Sequence, residues 1–213
     1  MKNFSNRYIF IYITVLVAIV AVLVSVASVS LQPRQEANRL QERYSQILLA
    51  AGYPESEVMG KEVIQLYKTV AEEMNIDSNL LVIKVKTTDG TEEYIIPVKG
   101  KGLWGPIWGF IAIGEDGNTV KGAIFAHKGE TPGLGAEITT PKFTNEFVGK
   151  QIFDEEGNFV SIKVVKGGVV NSNVPPLHGV DAISGGTVTS TGVDKMLQNE
   201  LSKYVPFLKS LQK

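Results

Sequence analysis

The chain has 213 residues and a mass of 23.2 kDa, which is room for one ordinary domain. Its 21 Lys and Arg residues are balanced by 22 Asp and Glu residues, so the chain has no excess positive charge to bind the phosphate backbone of a nucleic acid. Nucleic acid is therefore excluded as a partner. It has no cysteine, which excludes disulfides, thiolate metal sites and iron–sulfur clusters. Its two histidines lie far apart in sequence, which argues against a metal site. An electron carrier of this composition needs an organic cofactor.

The most apolar segment, residues 8–31, contains no charged residue, Pro or Gly. A helix of that length measures about 36 Å and can cross a hydrocarbon core of about 30 Å. The apolar part of a signal peptide is only about 7–15 residues long, so the length of this run favours an uncleaved transmembrane helix. The alternative is a cleaved signal peptide, because residues 25–27 are small, as at a signal cleavage site. Lys2 and Arg7 make residues 1–7 positive, which predicts a cytoplasmic tail. Residues 32–213 are then expected to form an extracytoplasmic domain of a single-pass protein in a bacterial inner membrane.

The remaining chain contains both helical and strand-like patterns. The spacing of apolar residues predicts helices over residues 34–51, 63–74, 141–147 and 193–211. Runs rich in β-branched and aromatic residues predict strands over residues 81–86, 93–98, 108–113, 120–126 and 159–165. Asp89-Gly90 and residues 115–118 separate the first four runs into two hairpins. The expected fold class is α+β, a mainly antiparallel sheet with flanking helices, preceded by one N-terminal transmembrane helix.

Residues 181–192 read Asp-Ala-Ile-Ser-Gly-Gly-Thr-Val-Thr-Ser-Thr-Gly and precede the last predicted helix. Small and hydroxyl residues at a helix N-terminus offer backbone N–H groups and a positive dipole end, which is typical of a phosphate site. The alternative is that Ser190 or Thr191 simply caps the helix. No Lys follows the glycines, which excludes a Walker A loop, and the absence of a GxGxxG motif after a strand leaves a dinucleotide fold unsupported.

This stretch resembles the flavinylation motif of the FMN-binding domain family. That motif has an Asp, two variable residues, Ser or Thr, Gly, a small residue, Thr or Ser, a variable residue, and an acceptor Thr or Ser. In this sequence the positions from the Asp to the acceptor are filled by Asp181, Ser184, Gly185, Gly186, Thr187, Val188 and Thr189. Gly186 stands where the family usually has Ala, and both residues are small.

Two further blocks carry the same resemblance, Gly-Lys-Gly-Leu-Trp-Gly at residues 100–105 and His-Lys-Gly-Glu-Thr-Pro-Gly-Leu-Gly at residues 127–135. Over nearly its whole length the chain is similar to the NqrC subunits of Na⁺-translocating NADH:quinone oxidoreductases. The related RnfG subunits share residues 130–135 and the acceptor motif, whereas the Gly-Leu-Trp block is more specific to NqrC.

The resemblance implies that FMN is attached through a phosphoester to Thr189 by a separate flavin transferase that uses FAD and a divalent metal. The register of the motif favours Thr189, although Ser190 and Thr191 also carry hydroxyls. Asp181 is then expected to serve recognition by the transferase or to position the acceptor loop, the alternative being an ordinary surface turn.

The two other blocks are expected to form the pocket of the flavin ring. Apolar contacts would come from Leu103, Trp104 and Leu134, and hydrogen bonds to the polar edge from Glu130, Thr131 and backbone N–H groups, while Gly133 fixes the turn. His127 is either a proton donor or a structural residue at a strand end. Electron exchange with partners predicts a ring with one exposed edge.

The function implied is that of an electron-transfer subunit with covalent FMN, in a membrane complex that oxidises NADH, reduces quinone and exports Na⁺. Its expected partners are the other subunits, the flavin transferase and membrane lipid. Two alternatives remain open: an RnfG-like subunit of a ferredoxin:NAD oxidoreductase complex, and a membrane-tethered module that binds a phosphorylated ligand without redox chemistry.

Overall fold

The computed structural model describes residues 5–77 and 80–212, which fall into two compact units, Met1–Glu42 and Arg43–Lys213. Helix α1 (Asn6–Ala50) begins in the first unit and ends in the second. With a mean hydropathy of 3.0 over its most apolar window, α1 is the one helix in the described residues long and apolar enough to cross a membrane. Residues 1–4, part of the predicted cytoplasmic tail, lie outside the described residues.

The helix predicted over residues 34–51 is not separate, because α1 continues through Pro33. Proline removes a single N–H donor from a helix. In a helix of 45 residues the turns on both sides still form their own hydrogen bonds, so the chain stays helical there.

The second unit contains five further helices and seven strands among its described residues. The helices are α2 (Glu55–Val58), α3 (Val63–Val70), α4 (Pro141–Thr144), α5 (Thr187–Leu201) and α6 (Val205–Leu211). The strands are β1 (Ala71–Asp77), β2 (Leu80–Lys86), β3 (Glu92–Lys101), β4 (Pro106–Ile113), β5 (Val120–His127), β6 (Lys163–Val165) and β7 (Gly179–Asp181). Short 3₁₀ turns occupy Gly135–Thr139, Asn145–Phe147, Val169–Asn171, Pro176–His178 and Ser202–Tyr204.

Strands β1 to β5 form one antiparallel sheet in chain order, which confirms both predicted hairpins. Alternate residues of the sheet enter two apolar cores. One core contains Ile96 and Ile111 with the buried face of α5, and the other contains Ile95 with the end of α1 and with α3. The sheet is therefore covered by helices on both faces, and the predicted α+β class is confirmed.

Three predicted elements have different limits in the structure. The helix predicted over residues 63–74 ends at Val70, and the next residues form β1, since Met74 pairs with Val82 of β2. The strand predicted over residues 159–165 is confined to β6, because Ser161 has a φ of 61°, a conformation that no extended strand accommodates. The last helical segment begins at Thr187, six residues before the prediction, so the motif runs into the first turn of α5.

Strand β3 carries a buried carboxylate that the sequence patterns do not single out. Glu93 is 8% exposed, and its Oε2 has no hydrogen-bond partner among the described residues. Burial raises the pKa of Glu93 to about 7, while nearby Lys121 acts in the opposite direction. Between pH 4.5 and about 7, the Glu93 carboxyl is therefore protonated in the folded protein and ionised in the unfolded chain.

A Glu93→Gln substitution is expected to make the protein less sensitive to alkaline pH. Between the ordinary carboxyl pKa of 4.5 and the folded pKa of about 7, the native state binds more protons than the unfolded state, so the stability of the parent falls as the pH rises. From pH 5 to pH 8 the stability of the variant relative to the parent should therefore rise by about 2 kcal/mol. Urea unfolding at both pH values measures it, and an advantage independent of pH would contradict the assignment.

Candidate functional site

The acceptor motif forms the N-terminal turn of α5. Its helix begins after Gly186, which has no side-chain capping hydrogen bond, so the first N–H groups of the helix are not satisfied by a cap. Ser190 Oγ accepts a hydrogen bond from Ile183 N at 3.1 Å, and Thr191 Oγ1 donates to Thr187 O at 2.9 Å. Both hydroxyls lie inside the helix, so the alternative that either of them caps it is wrong.

Thr189 forms a buried pair with Glu130, which belongs to the block at residues 127–135. Its Oγ1 donates a hydrogen bond to Glu130 Oε2 at 2.5 Å, and the two residues are 2% and 4% exposed. The other carboxylate oxygen, Glu130 Oε1, accepts a hydrogen bond from Trp104 N at 2.9 Å. One carboxylate therefore joins all three sequence blocks.

The charge of Glu130 is set by two opposing effects. Burial favours the neutral acid and would raise the pKa of Glu130, but hydrogen bonds from the Thr189 hydroxyl and from the backbone of Trp104 and its two neighbours hold the pKa below its ordinary value. Glu130 is therefore an ionised acceptor at neutral pH.

Two glycines allow the loops to close around this carboxylate. A Cβ at Gly135 would collide with Thr189 Oγ1 and would lie 2.6 Å from Glu130 Oε2. A Cβ at Gly102 would lie 2.6 Å from Glu130 Oε1. Both positions require close approach of the backbone, which explains the need for glycine at residues 102 and 135.

The three blocks line a pocket of ≈ 120 Å³ at the N-terminus of α5. Its lining residues are Leu103, Glu130, Thr131, Leu134, Gly135, Gly185, Gly186, Thr187, Val188 and Thr189. Exposed apolar side chains surround it: Leu103, Leu134 and Val188 on the lining and Trp104, which is 68% exposed, beside it. The pocket thus combines a polar, buried floor with an apolar, exposed rim.

The predicted turn residues shape the pocket from the 131–135 side. Thr131 O accepts hydrogen bonds from Leu134 N and Ala136 N, both at 3.1 Å, and Gly133 has a positive φ of 74°. A Cβ at Gly185 would lie 2.6 Å from Leu134 Cδ2. The 131–135 turn and the glycines of the acceptor motif are therefore packed directly against each other.

Asp181 and Ser184 line a neighbouring recess of ≈ 340 Å³ rather than this pocket. Asp181 Oδ1 accepts a hydrogen bond from Val169 N at 2.7 Å, and Asp181 N donates to Glu146 Oε2 at 2.7 Å. Asp181 thus fixes the start of the acceptor segment to the loop after β6. The recess also contains Glu137, which no sequence motif indicated and whose Oε1 accepts from Gly133 N at 2.9 Å.

His127 ends β5, and its Nδ1 accepts a hydrogen bond from Glu130 N at 3.1 Å. Of the two interpretations of His127, the contact supports the structural one, because the ring fixes the turn that presents Glu130.

Comparisons with known proteins agree with this arrangement. The FMN-binding domain family model matches residues 102–202, which include all three blocks from Gly102 onward. The C subunit of the Na(+)-translocating NADH-quinone reductase of Pseudomonas aeruginosa is 33% identical, over 94% of this chain and 95% of that protein. The protein of the same name from Vibrio vulnificus is 34% identical, over 81% of this chain and 82% of that protein.

Solved structures give the same result. The crystal structure of the C subunit of the Na(+)-translocating NADH-quinone reductase from Parabacteroides distasonis superposes with a TM-score of 0.72 at 39% identity and covers 84% of this chain and 96% of its own. The crystal structure of Shewanella oneidensis NqrC has a TM-score of 0.66 at 27% identity and covers 83% of this chain and 99% of its own. With similarity of this extent in both sequence and structure, the chain belongs to the NqrC family of Na(+)-translocating NADH-quinone reductase subunits.

Proposed function

We propose that the chain is an electron-transfer subunit that carries FMN linked through its phosphate to Thr189, in a membrane complex that oxidises NADH, reduces quinone and exports Na⁺. The observation that carries the proposal is the Thr189 hydroxyl on the buried floor of a pocket with an exposed apolar rim. Membership of the NqrC family supports this complex over an RnfG-like one.

Thr189 is favoured among the hydroxyls of the motif by its surroundings. Ser190 and Thr191 do not line the pocket, and their oxygens are hydrogen-bonded within the 183–191 segment. Thr187 also lines the pocket, but it is exposed, whereas Thr189 is buried against Glu130. Thr189 is the motif hydroxyl bonded to a carboxylate that can accept its proton.

The residues present fit the phosphate of FMN. A phosphate on Thr189 Oγ1 would lie at the N-terminus of a 15-residue helix, where free N–H groups and the positive end of the helix dipole favour an anion. Gly185 and Gly186 present no side chain there, so their backbone can approach the phosphate closely.

The rim fits the ring of FMN. Because a pocket of ≈ 120 Å³ is too small for a whole flavin, the ring would cover the exposed side chains of Leu103, Leu134 and Trp104 rather than enter the floor. Bound FMN supplies the one- and two-electron redox chemistry. The rim residues exclude water from the side they cover, and the opposite side remains open to a partner subunit.

We place the chain as a single-pass protein of the bacterial inner membrane, with residues 8–31 of α1 surrounded by lipid, residues 1–7 cytoplasmic and residues 32–213 extracytoplasmic. Strands β1 to β5 form an antiparallel meander, and the described residues contain no doubly wound parallel sheet, so we assign NADH oxidation to other subunits. A flavin transferase that uses FAD and a divalent metal is the maturation partner.

Co-expression of the full chain with and without a flavin transferase tests the proposal. With the transferase, intact mass should increase by one FMN minus one water, and the chain should fluoresce in a denaturing gel. Without it, the chain should remain unmodified. A chain that stays unmodified in both cultures yet binds a phosphorylated ligand would instead support the tethered binding module.

Trp104 is expected to quench the fluorescence of the attached flavin. An indole in contact with the isoalloxazine ring quenches by electron transfer, so a Trp104→Ala chain should fluoresce several-fold more per bound flavin. The control is Trp108→Phe, which changes the other of the two tryptophans, a half-buried residue of β4. Equal fluorescence per flavin in parent and Trp104→Ala would remove Trp104 from the ring contact.

A further inference from the structure

We propose that Glu130 is a catalytic residue that this chain supplies for its own modification: its carboxylate orients the Thr189 hydroxyl for attack on FAD and takes the hydroxyl proton. The inference rests on the proposed attachment of FMN to Thr189. It assigns to Glu130 a role in forming the bond, in place of the contact with the flavin ring that the resemblance implies.

The two oxygens of Glu130 have separate tasks. Oε1 is held by Trp104 N at 2.9 Å, while Oε2 accepts the hydroxyl of Thr189 at 2.5 Å. His127 Nδ1 fixes Glu130 N from the other side at 3.1 Å. The carboxylate is therefore anchored from its backbone to its tip, and the oxygen that faces Thr189 has a defined position.

This anchoring sets the orientation of the nucleophile. Because Thr189 Oγ1 donates its proton to Glu130, the lone pairs of Oγ1 are directed away from the carboxylate and remain available for attack. A hydroxyl becomes a competent nucleophile when a neighbouring base receives its proton as the new bond forms. The Thr189 hydroxyl and the Glu130 carboxylate lie within hydrogen-bond distance of each other, as such a nucleophile and base must.

The step balances without a redox change. Thr189 Oγ1 attacks the phosphorus of the FMN half of FAD, the Oγ–P bond forms, and the bond from that phosphorus to the bridging pyrophosphate oxygen breaks. AMP leaves with the bridging oxygen. The hydroxyl proton passes along the existing hydrogen bond to Glu130 Oε2 and from there to solvent or to the leaving phosphate.

The burial of Thr189 adds one requirement. Thr189 is 2% exposed, and Gly135 at the end of the 131–135 turn lies directly against its Oγ1, so this turn has to move before a transferase reaches the hydroxyl. Glu130 is hydrogen-bonded to Trp104 N and to His127 Nδ1, neither of which belongs to that turn. Glu130 can therefore keep its contact with Thr189 while the turn opens.

A Glu130→Gln chain separates this role from simple packing. An amide has the shape of the carboxylate but offers one acceptor oxygen, which cannot serve Trp104 N and the Thr189 hydroxyl at once. With purified full-length chain in detergent, purified transferase, FAD and Mg²⁺, loading is followed by intact mass. At saturating chain we expect kcat to fall by about 10²-fold with KM little changed.

Matched controls keep the result interpretable. Glu93→Gln makes the same change at the other buried glutamate of the described residues, at the opposite end of β3 from the pocket, and should load at the parental rate. Glu130→Asp should retain part of the rate. Glu130→Ala should regain rate with added formate but not with chloride at equal ionic strength, a rescue that a purely structural role does not produce.

The outcomes distinguish this inference from the function on which it rests. If the parent chain is not loaded at all, the proposed function fails. If the parent is loaded and Glu130→Gln is loaded equally fast, the role of Glu130 is wrong while the function stands. If Glu130→Gln does not fold, the formate test on Glu130→Ala and the loading rate of Glu130→Asp decide. The inference is overturned if formate does not restore loading of Glu130→Ala and Glu130→Asp is loaded at the parental rate.

Discussion

A Thr189→Val chain is expected to carry no covalent flavin. Valine has nearly the shape of threonine, but it lacks the oxygen that would form the phosphoester and the hydrogen bond to Glu130 Oε2. Flavin fluorescence in a denaturing gel should fall to background, and intact mass should be that of the unmodified chain. Because the buried Glu130 carboxylate loses the hydroxyl that donates to it, the free energy of unfolding should also fall by about 1–3 kcal/mol.

The variant series around Thr189 identifies the acceptor. Thr189→Ser keeps a hydroxyl and should remain loaded. Thr191→Val removes a hydroxyl two residues away that donates a hydrogen bond to Thr187 O and does not line the pocket, and it should be loaded like the parent. Covalent flavin on the Thr189→Val chain would refute the acceptor assignment and direct attention to Thr187.

The second large effect is expected from Gly135→Ala. The added methyl group would collide with Thr189 Oγ1 and lie 2.6 Å from Glu130 Oε2, so the hydroxyl and carboxylate have to separate. Overpacking of this kind costs about 1–3 kcal/mol, and here it also breaks the pair on which attachment depends. We expect loading under the standard co-expression conditions to fall at least about tenfold, with a lowered melting temperature.

Gly129→Ala is the matched control for this prediction. Gly129 lies in the same sequence block, but a Cβ there meets nothing within 4 Å. The variant should melt and load like the parent. Parental loading of the Gly135→Ala chain would show that the close contact between Gly135 and Thr189 does not matter for attachment.

Much of the sheet could be predicted because its signals are local. The turn residues 89–90 and 115–118 lie between alternating runs, and the strands pair with their neighbours in chain order. Strand β1 could not be predicted in this way. Ala71-Glu72-Glu73-Met74 continues the helical spacing, and pairing with β2 overrides that local preference.

The residues that line the pocket could be predicted, but the hydrogen bonds between them could not. The motif register indicated Thr189, and the glycine-rich blocks indicated close backbone approach. The hydrogen bond between Thr189 and Glu130 joins residues 59 positions apart, and no local pattern encodes that distance. The anchoring of Asp181 to Val169 N is equally a product of the fold, since it depends on the parallel pairing of β6 with β7.

Tandem mass spectrometry of the loaded chain identifies the residue that carries FMN. Trypsin releases residues 167–195 as one peptide, because Lys166 precedes it and Lys195 ends it. Fragment ions between the four hydroxyl residues of the 187–191 segment assign the added mass to one of them. We expect the mass of FMN minus water on Thr189 alone; an unmodified peptide, or the added mass on Thr187, Ser190 or Thr191, would show that Thr189 is not the attachment site.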